Sequence, residues 1–262
     1  TGTVQAAAGR RRDRGEDTPL PGKGAPMSEK AKVAIVKKAF PLTTAEVEDM
    51  VRLAVELLGG LEGKIKRGGH VVVKPNLFAP YPPPISVDRR VVAAVVRLAF
   101  RAGAGRVTVI EGVSVGTLMK RVNPERSCCG ASRGFGTVEV MRMLGVKQAV
   151  EEAGGEVLGV EEAEKVMVDI RGGRALHRVA YPKVVLEADY FINIPAMKTH
   201  TMTMVTLSVK NLQGLLDEKG RYYAHRDDLD QHMVDISKIR QPDLVVLDGL
   251  IAMEGMGAGE GG

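Results

Sequence analysis

Two hydrophobic periods alternate along the first half of this chain. Short apolar runs at residues 33–36, 71–74 and 107–110 are too brief for helices and rich in β-branched residues, so they read as buried strands. Between them the apolar positions open to helical spacing. Thr43 with Glu46 predicts a capping box for a helix that runs to Leu58 and closes at Gly59 and Gly60. Asp88 predicts the cap of a second helix, burying Val91, Val92, Val95 and Leu98 before Gly103. A strand–helix series of this kind is the signature of an α/β fold, a mostly parallel sheet with helices on both faces. Further along, the pattern predicts a helix over 137–153 capped by Thr137 and β-like pieces at 156–160, 166–170 and 176–181. It then predicts a buried strand over 189–194 and a helix–strand unit over 228–247, its helix beginning near Ala224. The less regular stretch of residues 113–188 reads as a second, smaller α/β lobe or an elaborated edge.

Residues 1–30 have no apolar period and are crowded with Gly, Pro and charge, which predicts a disordered tail ahead of an α/β domain over 31–262. After the last predicted strand, 243–247, the chain ends in a glycine-rich stub, so further covering strands beyond residue 262 are expected. Composition narrows the function. The net charge of +5 lies largely in residues 1–32, where seven basic residues face four acidic ones, and the remainder carries 30 basic against 28 acidic. With no Trp and only 4% aromatic residues, neither a basic groove nor a stacking platform for nucleic acid is indicated. Cys128 and Cys129 are adjacent and form no disulfide framework, which fits a reducing compartment and makes the cytoplasm the expected location. No apolar run approaches the roughly 20 residues of a membrane span, so no membrane partner is expected.

Chemistry concentrates where strands are predicted to end, the edge at which open α/β sheets bind ligands. Lys74 and Asn76 follow one strand, Glu111 another, and Asp248 a third. The strand over 189–194 runs through Pro195 into Lys198, Thr199 and His200, then Lys210 and Asn211. If extended, Lys198 and His200 share a side, and a lysine near other cations serves as a base or Schiff-base nucleophile. Residues 205–216 fit either a helix, with Val205, Val209, Leu212 and Leu216 in one stripe, or an extended segment. As exposed strand-end side chains, Lys74 and Lys198 are expected to matter to ligand binding and little to stability. The proline-rich stretch 77–84 is expected to wall the site.

The segments VVVKPNL, VIEG, NIPAMKTH, TLSVKNLQG and PDLVVLDGLIAMEGMG resemble, in order, those of the family catalogued as domain of unknown function 362. That resemblance implies an α/β fold with its site in the KTH to KNLQG region and brings no assigned reaction. Many of its members are similar to ferredoxins in a cysteine-rich C-terminal segment; with only two adjacent cysteines, no iron–sulfur cluster is expected here. The nickel-pincer lactate racemases, which join α/β domains around lysine and histidine side chains, bear a more distant likeness. Two functional readings follow. The first is an enzyme or binding protein for a small anionic metabolite, with Lys198 and His200 as acid–base groups and Lys74, Asn76, Glu111, Lys210, Asn211 and Asp248 as ligand-binding residues. The alternative is a non-catalytic metal-binding module serving a redox partner protein. For it, His225, Asp228, His232 and Asp235 lie on one face of a predicted helix, and His225 and His232 are the candidate ligands of a divalent metal. Residues 130–137 offer an anion nest beside Arg133, and His70 and His177 read as structural.

Overall fold

The computed structural model describes residues 31–112, 135–217, 220–221, 224, 228–255 and 257. The chain divides into residues 1–33 and 34–262, and the fold below is that of the second unit. The tail over 1–30, His225, both cysteines and most of the 130–137 segment lie outside the described residues.

The capping box forms as the sequence predicts. Glu46 N–H donates to Thr43 Oγ1 and Thr43 N–H donates to the Glu46 carboxylate, opening helix α1 over Thr44–Leu57. Strand β1 (His70–Pro75) follows, then α2 (Arg89–Arg101), whose Arg90 N–H is taken by the Asp88 side chain, and β2 (Arg106–Glu111). The predicted helix over 137–153 is two, α3 (Thr137–Met143) and α4 (Val146–Glu152). Gly145 sits between them at φ 68°, a left-handed conformation that breaks the helix where a side chain would be strained. Thr137 is not the cap: Gly136 is, and the Thr137 N–H and hydroxyl both donate to Glu161.

Strand β3 (Glu156–Gly159) pairs with β2, while β4 (Lys165–Asp169) and β5 (Arg178–Pro182) make an antiparallel ladder of their own. A one-turn helix α5 (Lys183–Leu186) leads into β6 (Tyr190–Ile194), buried along its whole length. Then come β7 (Ala196–His200), β8 (Met204–Thr206), the short helix α6 (Ser208–Asn211) with a 3₁₀ turn at Leu212–Leu215, and α7 (Leu229–Ser237). Strands β9 (Leu244–Val245) and β10 (Asp248–Met253) complete the described chain.

The principal sheet is parallel in the order β3-β2-β1-β6-β9. Its pleat sorts the valines of β1. Val71 and Val73 join a core made with α1, α2, α3 and α4, while Val72 faces the other side with Phe191, Leu212, Leu215 and Ile236. Both faces are therefore covered, as a parallel sheet requires. Pro195 has no N–H with which to extend the β6 ladder, and the chain passes there into a second sheet, β10-β7-β8.

Two expectations fail here. Residues 33–36 form no strand: Val33 and Ile35 are exposed and no strand among the described residues pairs with them, and apolar alternation makes a strand only where an edge is offered. The predicted strand over 243–247 shortens to two residues, and Asp248 opens β10 rather than leading into a stub.

Candidate functional site

The carboxyl ends of β1, β2 and β6 bring together residues far apart in sequence. Register aligns Lys74 with Asn193 across β1 and β6, and Glu111 ends β2 beside them. Lys74 is 1% exposed, and its three ammonium hydrogens are all engaged, by Glu111 at 2.8 Å, the Pro75 carbonyl at 2.9 Å and Asn211 Oδ1 at 3.1 Å. Glu111 in turn accepts from the Leu77 N–H at 3.0 Å and the Gly112 N–H at 2.8 Å. Asn211 ties the network shut. Its Oδ1 also accepts from Asn76 Nδ2 at 2.9 Å, and its Nδ2 donates to Asn193 Oδ1 at 2.7 Å and the Lys74 carbonyl at 3.2 Å. Burial pulls Lys74 below the ordinary lysine range, and the Glu111 charge opposes that fall.

Two glycines make this packing feasible. A Cβ on Gly214 would meet Lys74 Nζ at 2.8 Å and collide with Glu111 Oε1, and one on Gly112 would collide with the Arg221 guanidinium. Residues 205–216 are neither wholly helical nor wholly extended: Val205 lies in β8 and, like Val209, is exposed, so the predicted stripe buries only Leu212 and Leu216, while the helical turns over Ser208–Leu215 aim Asn211 back at β1.

Lys198 has a different setting. It is 5% exposed on β7, donates to the Ile85 carbonyl at 2.6 Å and lies over the Phe78 ring at 5.3 Å. Both partners come from the loop between β1 and α2, so the proline-rich stretch does wall this side chain. Among the described residues Lys198 forms no ion pair with a carboxylate. Burial lowers it to about 7, with the Lys210 charge pushing the same way, Glu111 opposing and Lys74 adding to the fall. Lys210, partly exposed and hydrogen-bonded to Gln213 Oε1 at 2.6 Å, is lowered to about 8 by burial and by Lys74. Directly across the β7–β8 ladder from Lys198 stands Thr206, whose buried hydroxyl has no hydrogen-bond partner among the described residues. The buried Asn76 Oδ1 likewise lacks one.

The remaining sequence candidates are placed elsewhere. His200 Nδ1 accepts the N–H groups of Met202 and Thr203 at 3.2 and 3.3 Å, closing the β7–β8 turn, a role that requires the neutral ring. Asp248 accepts the Asp88 N–H at 2.7 Å and the Leu250 N–H at 3.1 Å, which joins β10 to the start of α2; burial raises its pKa.

Of the four residues read as a metal face, His225 lies outside the described residues, and the other three are engaged within the protein. Helix α7 begins at Leu229 with Asp228 as its cap, His232 is buried with Nδ1 2.7 Å from the Asp228 carbonyl oxygen, and Asp235 accepts the N–H groups of Arg174, Ala175 and Leu176. Among the described residues no group of three or more His, Cys, Asp or Glu is disposed to hold a metal ion. His70 contacts Thr108 Oγ1 at 2.8 Å at the amino end of the sheet, a structural position. Sequence reasoning did not find Thr206, Asn193 or Arg221. Asn193 alone carried a signal, an amide interrupting an otherwise apolar strand.

A five-stranded parallel sheet covered by helices on both faces makes this an α/β protein, with Lys74, Lys198 and Lys210 gathered at and beyond the carboxyl ends of its strands. The chain belongs to the family described as Domain of unknown function (DUF362), which it matches over residues 71–262. It is 28% identical over 221 residues to the thylakoid-associated protein sll1697 of Synechocystis sp., covering 79% of this chain. This chain spans 60% of that relative's length. Among solved structures it is similar to the lactate racemase apoprotein from Thermoanaerobacterium thermosaccharolyticum, with a TM-score of 0.42 and 13% identity over 77% of this chain and 48% of that one. A protein from Thermotoga maritima gives a TM-score of 0.39 and 14% identity over 81% and 52%. Neither bears on the chemistry of the site. Among the described residues no helix is long and apolar enough to cross a membrane.

Proposed function

We propose that this protein binds, as a substrate, a small anionic metabolite at the carboxyl edge of the parallel sheet, with Lys198 and Lys210 supplying the positive charge. The observation that carries the reading is an imbalance of charge. Three lysines act on one another there, and Glu111, already bound to Lys74, is the carboxylate that faces them among the described residues. A low-dielectric site with surplus ammonium groups relaxes in one of two ways, by losing protons or by gaining an anion. An arriving anion would restore the lysines' protons, so binding and proton uptake are coupled. The Lys74–Glu111–Asn211 network serves as the rigid floor that holds the edge in place rather than as the ligand's own contact.

Calorimetric titration with inorganic phosphate and with small dicarboxylates tests this. Binding should take up protons at pH 8, and affinity should fall by up to about tenfold per pH unit above the lysine pKa for each proton required. Lys198→Met should abolish it. Binding that is unchanged in Lys198→Met, or absent altogether in the native protein, would overturn the reading.

A further inference from the structure

Of the three lysines at this edge, one is arranged unlike the others. Lys74 has every N–H donated, one of them to a carboxylate, so its lone pair is not available. Lys210 is partly exposed and held by Gln213. Lys198 is buried between the Phe78 ring and the Ile85 carbonyl, bonds to no carboxylate among the described residues, and meets the field of two neighbouring lysines. An amine so placed gives up its proton far more readily than an ordinary lysine, so near neutral pH both forms are populated: the charged form attracts an anion, and the uncharged form keeps one N–H on Ile85 and has its lone pair for chemistry. In an antiparallel ladder, residues directly opposite project from the same face, so Thr206 stands beside Lys198. The Thr206 residue is 3% exposed and its hydroxyl has no hydrogen-bond partner among the described residues. A buried hydroxyl without a partner, on the same face as a buried lysine that has no carboxylate, is costly to keep for packing alone.

Resting on the anion-binding reading above, we infer that Lys198 is a nucleophile that forms an imine with a carbonyl-bearing carboxylate, an α-oxo acid or an aldehyde acid, with Thr206 relaying the proton. The Lys198 lone pair forms a C–N bond to the carbonyl carbon, and the C=O π pair moves to oxygen. That oxygen takes a proton from the Thr206 hydroxyl, which is replenished from the ammonium-like nitrogen. The resulting carbinolamine loses its hydroxyl with a second proton, as water, and the nitrogen is left doubly bonded to carbon. No oxidant or reductant takes part, and the balance is amine plus carbonyl to imine plus water. Lys210 is placed to hold the carboxylate of such a substrate.

Incubation of the full chain with glyoxylate and cyanoborohydride, followed by peptide mapping, reads the reaction on the native sequence. Lys198 should carry the carboxymethyl adduct at least about ten times faster than the exposed lysines, whose ordinary pKa keeps them protonated at pH 7. Inorganic phosphate should protect it. Propanal, an aldehyde without a carboxylate, separates the two proposals. If propanal labels Lys198 as fast as glyoxylate, the nucleophile stands and the anion site falls; if phosphate binds by calorimetry yet Lys198 is never labelled, the anion site stands and the nucleophile falls. Thr206→Val should retain the wild-type urea midpoint or better and slow the labelling severalfold. An unchanged labelling rate in that variant would remove Thr206 from the mechanism.

Discussion

Lys74 and Lys198 are both lysines buried at one sheet edge, and their partners make them opposites. The expectation from sequence was of exposed strand-end side chains with little effect on stability, and burial reverses it for Lys74. Removing Glu111 leaves Lys74 as an unpaired buried charge, so Glu111→Gln should cost about 3–5 kcal/mol in urea denaturation. Lys198→Met should instead leave stability at pH 7 unchanged or raised, because it removes an amine that burial already disfavours as a cation. A midpoint in Lys198→Met as low as in Glu111→Gln would mean that Lys198 is structurally paired. His200 shows the same dependence on surroundings: a residue that titrates near neutrality elsewhere serves here as a neutral acceptor for a turn.

At the scale of elements, helix capping and helix burial carry different weights. The capping box of α1 is exposed, so Thr43→Ala should cost about 1 kcal/mol, seen as a small drop in Tm. Helix α7 is anchored more firmly. Asp235 is fully buried and gathers three backbone N–H groups from the loop after β4, with Gln231 and Lys238 on its other oxygen. Its pKa is depressed by those partners against the opposing effect of burial, so the stability it supplies is present above the ordinary carboxylate pKa and is lost as pH falls below it. Asp235→Ala should cost about 2 kcal/mol or more, and should increase hydrogen exchange at residues 174–176. Undiminished protection there would show that the loop holds itself.

For the whole molecule, the lysines dictate how stability follows pH. Lys198 titrates near 7 in the folded chain and Lys210 near 8, against 10.5 for an ordinary lysine. Between those values and 10.5 the unfolded chain binds more protons, so stability rises with pH. The cost of the low lysine pKa is fully present below pH 7 and disappears as pH climbs toward the unfolded value. Compared with Lys198→Met, the wild-type chain should gain on the order of a few kcal/mol between pH 7 and about 10. Urea midpoints of the two proteins at both pH values check this, and a constant difference would assign Lys198 an ordinary pKa.

The sequence alone determined the elements whose signals are local. A threonine and a glutamate three residues apart cap α1 because the bonds close within one turn, and the valine runs of β1 and β2 are buried because a parallel sheet is covered on both faces. It also determined that Lys74, Asn76 and Glu111 stand near strand ends, since Pro75 and Gly112 punctuate the strands. Tertiary structure decided the rest. Asn211 reaches Lys74, 137 positions away, only because a short helix turns it back, and residues 205–216 fit an extended segment as well as that helix. The spacing of His232 and Asp235 defines one side of α7, but periodicity cannot say that this side is covered as well as the apolar stripe of Leu229 and Ile236; here the polar pair is buried too, because backbone amides wait there for a carboxylate. The difference between Lys74 and Lys198 is of the same kind. Lys74 lies at the end of β1 and Lys198 midway along β7, and how firmly each keeps its proton depends on whether its neighbour is a carboxylate delivered by β2 or a phenyl ring delivered by the loop after β1.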